Sequence, residues 1–127
     1  MDKAELMRRT RDFSIAVLRL WQDLPQRTDA AVTGKQLLRC ATSVGANYRA
    51  TVHAKSSADF WAKIKICEEE ADESEYWLEL METVGILSAE QAAPLRREAH
   101  ELACIMSAAA RTIRNSLNKS SFINRQS

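Results

Sequence analysis

Glycine and proline are scarce in this chain, three and two among 127 residues. So few turn-formers leave little room for the many reversals of a sandwich or barrel, and they favour long helices joined by short links. No apolar run approaches the roughly 20 residues of a membrane span, so no membrane partner is expected. The opening MDKAELMRRT lacks the apolar stretch of a secretory signal, and a cytoplasmic location is expected. Three cysteines without a CxxC pair argue for reduced thiols rather than a disulfide framework.

Several chemistries are missing as well. There is no Gly-rich phosphate loop. Ser43 and His53 are ten residues apart on one helix, and a nucleophile and its base must approach to about 3 Å. Bundle di-metal sites use Glu-x-x-His on two helices. The only histidines are His53 and His100, and Ala50 and Arg97 stand three residues before them. Cys40, Cys67 and Cys104, with His100 one turn before Cys104, make a three-thiol zinc site conceivable. Cysteine is more often a small buried hydrophobe, and that role is the expectation. No metal, cofactor or catalytic residue is expected, and the chain reads as a non-enzyme.

What is present is helical rhythm. The length bounds the fold to one domain. Leu6, Thr10, Phe13, Val17, Leu20 and Leu24 recur at alternating four and three, which predicts a helix over about 3–24, stopped by Pro25. Leu37, Ala41, Val44, Tyr48 and Thr51 continue the pattern in a helix over about 30–53. A third helix, about 58–84, carries Phe60, Ile64, Cys67, Ala71, Ser74, Leu78 and Met81, with Gly85 as its stop. Ser88 and Gln91 read as a capping box for a fourth, about 89–117, with Leu95, Ala99, Leu102, Met106, Ala109 and Ile113 on its seam. Pro94 either kinks the first turns of that helix or marks its true start. Residues 120–127 are polar and read as a flexible C-terminal tail. Four amphipathic helices with short links give an all-α, antiparallel up-down-up-down four-helix bundle over 1–119.

The third helix holds most of the acids. Glu68, Asp72, Glu75, Glu79 and Glu82 form a stripe off the seam, read as a solvated face. Glu70 and Glu73 instead fall in register with Ile66, Trp77, Leu80 and Val84, a second apolar flank. Carboxylates there need a cation, and Arg39 on the neighbouring helix is the candidate. Trp61, Tyr76 and Trp77 lie off the narrow seam and are candidate interface positions.

The net charge of +1 hides a polarity. Alternating helix directions put Lys3, Arg8, Arg9, Arg11, Arg49, Lys55, Lys63, Lys65, Arg111, Arg114, Lys119 and Arg125 towards one end, against only Asp2, Glu5, Asp12 and Asp59, a net of +8. The remainder carries −7. Such an end suits phosphate contact by counterion release. It also suits complementing the dipoles of the second and fourth helices, or neutralising another subunit's opposite pole.

ATSVGANYRA (41–50), preceded by Arg39, and SADFWAKIKICEEEADESEYWLELME (57–82) resemble the bacterial four-helix bundle proteins. That family includes proteins encoded by intervening sequences inside 23S ribosomal RNA genes. It is related in fold to the accessory variability determinant proteins of diversity-generating retroelements. The resemblance spans about residues 6–117. It implies an antiparallel bundle assembled as a homopentamer, with no established activity for most members. The retroelement relatives bind nucleic acid and a reverse transcriptase through a basic surface. The motif positions fall on Arg39, Ser43, Asn47, Phe60, Glu70, Glu73, Tyr76, Trp77 and Leu78, which the resemblance assigns to packing and interfaces. Many members carry Glu and a small residue shortly after the Asn; here Tyr48, Arg49, Ala50 and Thr51 follow, and Arg49 adds to the basic end. The expectation is a non-enzymatic homo-oligomer that binds RNA or DNA through its basic pole, as a reverse-transcriptase accessory subunit in the retroelement setting. The alternative is a protein-binding scaffold of the ribosomal intervening-sequence type.

Overall fold

The computed structural model describes residues 1–126, with side chains through Asn124; Arg125, counted with the basic end, lies outside the described side chains. Four helices follow in order: α1 (Lys3–Gln22), α2 (Thr28–Ala50), α3 (Ser57–Thr83) and α4 (Ala89–Gln126), with a 3₁₀ turn, Thr51–His53, extending α2. Local chemistry sets their ends. The Asp2 carboxylate accepts the Glu5 amide at 2.8 Å, and the Ser56 hydroxyl accepts that of Asp59 at 3.0 Å. Each satisfies an otherwise orphaned donor of a first turn. Ser88 and Gln91 cap each other reciprocally, at 3.1 and 2.9 Å. That box fixes the start of α4 at Ala89, so Pro94 sits inside the helix rather than at its head. After α3, Gly85 adopts φ 79°. The Ile86 amide then reaches the Met81 carbonyl at 2.9 Å and the Gly85 amide that of Glu82 at 3.1 Å. This is a Schellman turn, which needs a left-handed residue and finds the one without a Cβ.

Pairings across the seams show that direction reverses at each link. Ser14 Oγ lies 3.2 Å from the Ala41 carbonyl, while Gly34 packs on Trp21 and Leu24. Cys67 Sγ reaches the Val44 carbonyl and Ser74 Oγ reaches Cys40 Sγ. Arg96 pairs with Glu82, and Arg114 lies over Trp61. Each series runs up one helix and down the next, giving the antiparallel four-helix bundle. The seams are buried as their spacing predicts: Phe13, Val17, Leu37, Val44, Ile64, Cys67, Leu78, Met81, Leu102 and Met106 all lie in the core. At Gly45 the two backbones come close. A Cβ there would stand 3.2 Å from the Thr10 carbonyl, so α1 and α2 depend on that small residue for their approach.

Three expectations need correction. Helix α4 does not end near Leu117 but continues to Gln126, so residues 120–126 are helical rather than an irregular tail. Near that point the buried position is Ala110, while Ala109 is only partly covered. The three cysteines do not converge: Cys40 and Cys67 are buried and Cys104 is exposed.

Candidate nucleic-acid interface

The basic end was read from helix direction alone, and side-chain pairing divides it. Arg9 turns inward between α1 and α4. Its Nη2 and Nε bond the two oxygens of Glu98 at 2.5 and 3.1 Å, and its Nη1 meets Glu101 at 3.1 Å. The Glu98 carboxylate holds the Arg9 guanidinium's pKa above its usual value, against burial, which works the other way. Arg9 thus sits 13 to 16 residues before Arg114 in height along α4, about 20 Å at 1.5 Å per residue. It belongs to a structural clamp and not to the tip. Lys63 pairs with Asp59 at 2.8 Å and Lys65 with Glu68 at 3.0 Å, both within α3. The Lys63 ammonium, with the Lys55 amide, pulls the Asp59 carboxyl below its ordinary range. Arg11 lies 3.7 Å from Asp12 on an exposed surface. These four cations are therefore corrected from free pole charges to paired ones. Among the described residues, Lys3, Arg8, Arg49, Lys55, Arg111, Arg114 and Lys119 form no ion pair.

Nor do the cations form one cap. Arg11 and Arg49 line a groove of about 670 Å³ between α1 and α2, with Met7, Ile15, Val52 and His53. Lys65, Arg111 and Arg114 line a smaller cleft of about 170 Å³ between α3 and α4, with Trp61 and Ser107. Helices α1 and α2 form one side of the bundle and α3 and α4 the other, so the two basic patches lie on opposite flanks. Only the α3–α4 patch combines unpaired arginines with an indole. The Arg114 guanidinium stands 5.3 Å from the Trp61 ring centroid. The sequence could have shown this pair, because residues 61 and 114 lie at matching height counted from the α3–α4 turn.

The remaining candidates are structural in place. Arg39 spans α2 to α3, with Nη1 2.9 Å from Glu70 and Nη2 on Glu73, the pairing predicted from register. Glu73 also accepts the Trp77 indole N–H at 3.0 Å. That bond, then Arg39, holds its carboxyl below the usual value, while burial opposes them. Trp77 meets the edge of Tyr76 at 5.2 Å between centroids, and Tyr76 itself is exposed. Asn47 donates to the hydroxyl and carbonyl of Ser43, within its own helix. The acidic stripe is less solvated than its spacing implied: Glu82 pairs with Arg96 and Glu75 with His100, so it borders the α3–α4 seam. Beyond His100, the Cys104 thiol lies 3.6 Å from Nε2, the neighbour one turn away that the spacing indicated, but on an exposed surface rather than in the core.

The 23S rRNA-intervening sequence proteins match this chain over residues 2–108. The chain belongs to that family. A solved structure from Bacteroides thetaiotaomicron, described as a protein of unknown function from the S23 ribosomal protein family, superposes with a TM-score of 0.80 at 31% identity, covering 87% of this chain and 99% of its own. No curated protein matches. In this member of the 23S rRNA-intervening sequence family, several motif positions are built into the scaffold, while Tyr76 is exposed. Leu78 is fully buried, and Arg39, Glu70, Glu73 and Trp77 lock α2 to α3. Arg111, Arg114 and Lys119 fall after the matched span.

Proposed function

We propose that this protein is a non-enzymatic, self-associating nucleic-acid-binding protein, with the phosphate contacts made by the unpaired cations of the α3–α4 end. The observation that carries this reading is the set Arg111, Arg114 and Lys119 on the distal part of α4. They carry no carboxylate partner in a chain whose net charge is only +1. Cations left unpaired beside an open cleft attract phosphates, and release of the phosphates' counterions makes the binding salt-dependent. Lys55 near the start of α3, and Lys3, Arg8 and Arg49 across the bundle, extend the positive field. Self-association, as a homopentamer on the family resemblance, is supported by exposed Ile66, Tyr76 and Val84 along the outer flank of α3. The resemblance to retroelement accessory proteins makes a reverse transcriptase the proposed protein partner, and an adjacent reverse-transcriptase gene is the observation that tests this.

The binding test is a salt titration. Labelled RNA and DNA should be retained at low salt and released as salt rises. Arg111→Glu with Arg114→Glu should lower the slope of log K against log salt by about 1.4 for a single strand, from roughly 0.7 per phosphate contact. Absence of retention at any salt, with a stable oligomer in light scattering, leaves the protein-binding scaffold, which the exposed Tyr76 and Val84 favour.

A further inference from the structure

We propose that Trp61 is a stacking platform for one unpaired base, which makes the polyanion held at this end a single strand rather than a duplex; this deepens the nucleic-acid reading and rests on it. The indole stands in the first turns of α3, half-buried, with its ring under the Arg114 guanidinium at 5.3 Å. The cleft beside it is lined by Lys65, Glu68, Ser107, Ala110, Arg111 and Arg114. Its volume is about 170 Å³. A water in the liquid takes about 30 Å³, so the cleft has room for a group the size of one base or one phosphate. Glu68 neutralises Lys65 at 3.0 Å, while Arg111 and Arg114 remain unpaired. One aromatic face beside two free guanidiniums is the pairing that single-strand sites use: rings for bases, cations for the flanking phosphates.

Of the other rings, Tyr76 is exposed but does not line this cleft. Trp77 is held by Glu73 and Tyr76, Trp21 packs on Gly34, and Phe13 and Tyr48 are buried. The α1–α2 groove offers Arg11 and Arg49 but no indole or phenol ring. Phe122 is exposed and follows Arg111 by eleven residues, about three turns, which returns it to the same face of α4. On α4 the cations Arg111, Arg114 and Lys119 precede Phe122, while Trp61 meets Arg114 from α3. In the free protein Arg114 covers the indole. An exposed guanidinium–indole contact is weaker than base stacking, so an incoming base takes the ring and Arg114 turns to a phosphate.

The test uses labelled oligothymidylate and oligouridylate of about twenty nucleotides, and a duplex of equal length, at low salt. Trp61→Leu should weaken single-strand binding on the order of tenfold, with an unchanged salt slope and loss of the strand-induced quenching of tryptophan fluorescence. Trp61→Tyr should retain most of the affinity, because it keeps a ring. The duplex should bind more weakly and be indifferent to both changes. Whichever strand binds more tightly identifies DNA or RNA. If Trp61→Leu binds strands like the wild type while Arg111→Glu with Arg114→Glu does not, the stacking proposal is overturned and the charge-led reading stands. If no polynucleotide binds the wild type, both fall.

Discussion

Replacing Arg9 by methionine separates a clamp from a ligand surface. Methionine keeps much of the arginine stem and its packing, so the loss is the charge and its hydrogen bonds. The Arg9 side chain is 19% exposed and its main partner Glu98 29%, whereas Glu101 is 60% exposed. Fully exposed ion pairs contribute about 0.2–1 kcal/mol, and breaking a buried one costs about 3–5 kcal/mol. The forked Arg9–Glu98 pair lies between these limits, so its coupling is about 1.5 kcal/mol, with about 0.3 kcal/mol more from Glu101. Arg9→Met should therefore lose about 2 kcal/mol. At roughly 4 °C per kcal/mol for a domain of this size, Tm falls by about 8 °C. Urea unfolding of wild type, Arg9→Met, Glu98→Gln and the double variant gives the coupling directly. Wild type and Arg9→Met should bind oligonucleotides within about twofold of one another, with unchanged salt slopes, because Arg9's charge is already taken up by Glu98. A coupling below about 0.3 kcal/mol, or a salt slope reduced in Arg9→Met as much as by Arg114→Glu, refutes the assignment of Arg9 to the clamp.

Two further outcomes follow from burial and charge. Iodoacetamide at neutral pH should add once to the native protein, at exposed Cys104, and three times only after unfolding: burial pushes the Cys67 thiol up to about 12 and raises that of Cys40. Rapid triple modification of the native state, read by mass spectrometry, would contradict the core. Glu73, held below its ordinary 4.5 chiefly by the Trp77 N–H and then by Arg39, stabilises the fold above that pH and loses the contribution as pH falls through its lowered folded value. Glu73 is 37% exposed, so the effect should stay below about 1 kcal/mol. The gap in urea midpoint between wild type and Glu73→Gln should narrow as pH falls below the ordinary carboxylate range and through the lowered folded value; a gap that stays constant contradicts the linkage.

The sequence by itself determined the helices, their order and their seams. A four-three rhythm of apolar residues, the Ser88–Gln91 capping box and a glycine at 85 act locally, within one turn of the chain, and leave the same trace in any environment. It also determined Arg39 with Glu70 and Glu73, because acids in an apolar register require a neighbouring cation. Tertiary structure decided how the cations were spent. Arg9 and Arg114 look alike in the chain, yet one meets Glu98 across the α1–α4 seam and the other meets only an indole. Charge pairing depends on lateral neighbours and rotamer reach, and these are set by which helices touch and at what height. For the same reason the pole became two patches on opposite flanks, and Cys104 faced outward beside His100 rather than inward with Cys40 and Cys67. The end of α4 was placed near Leu117 from the sequence and lies instead at Gln126, since a polar segment without an apolar stripe carries no periodic signal of the helix it forms.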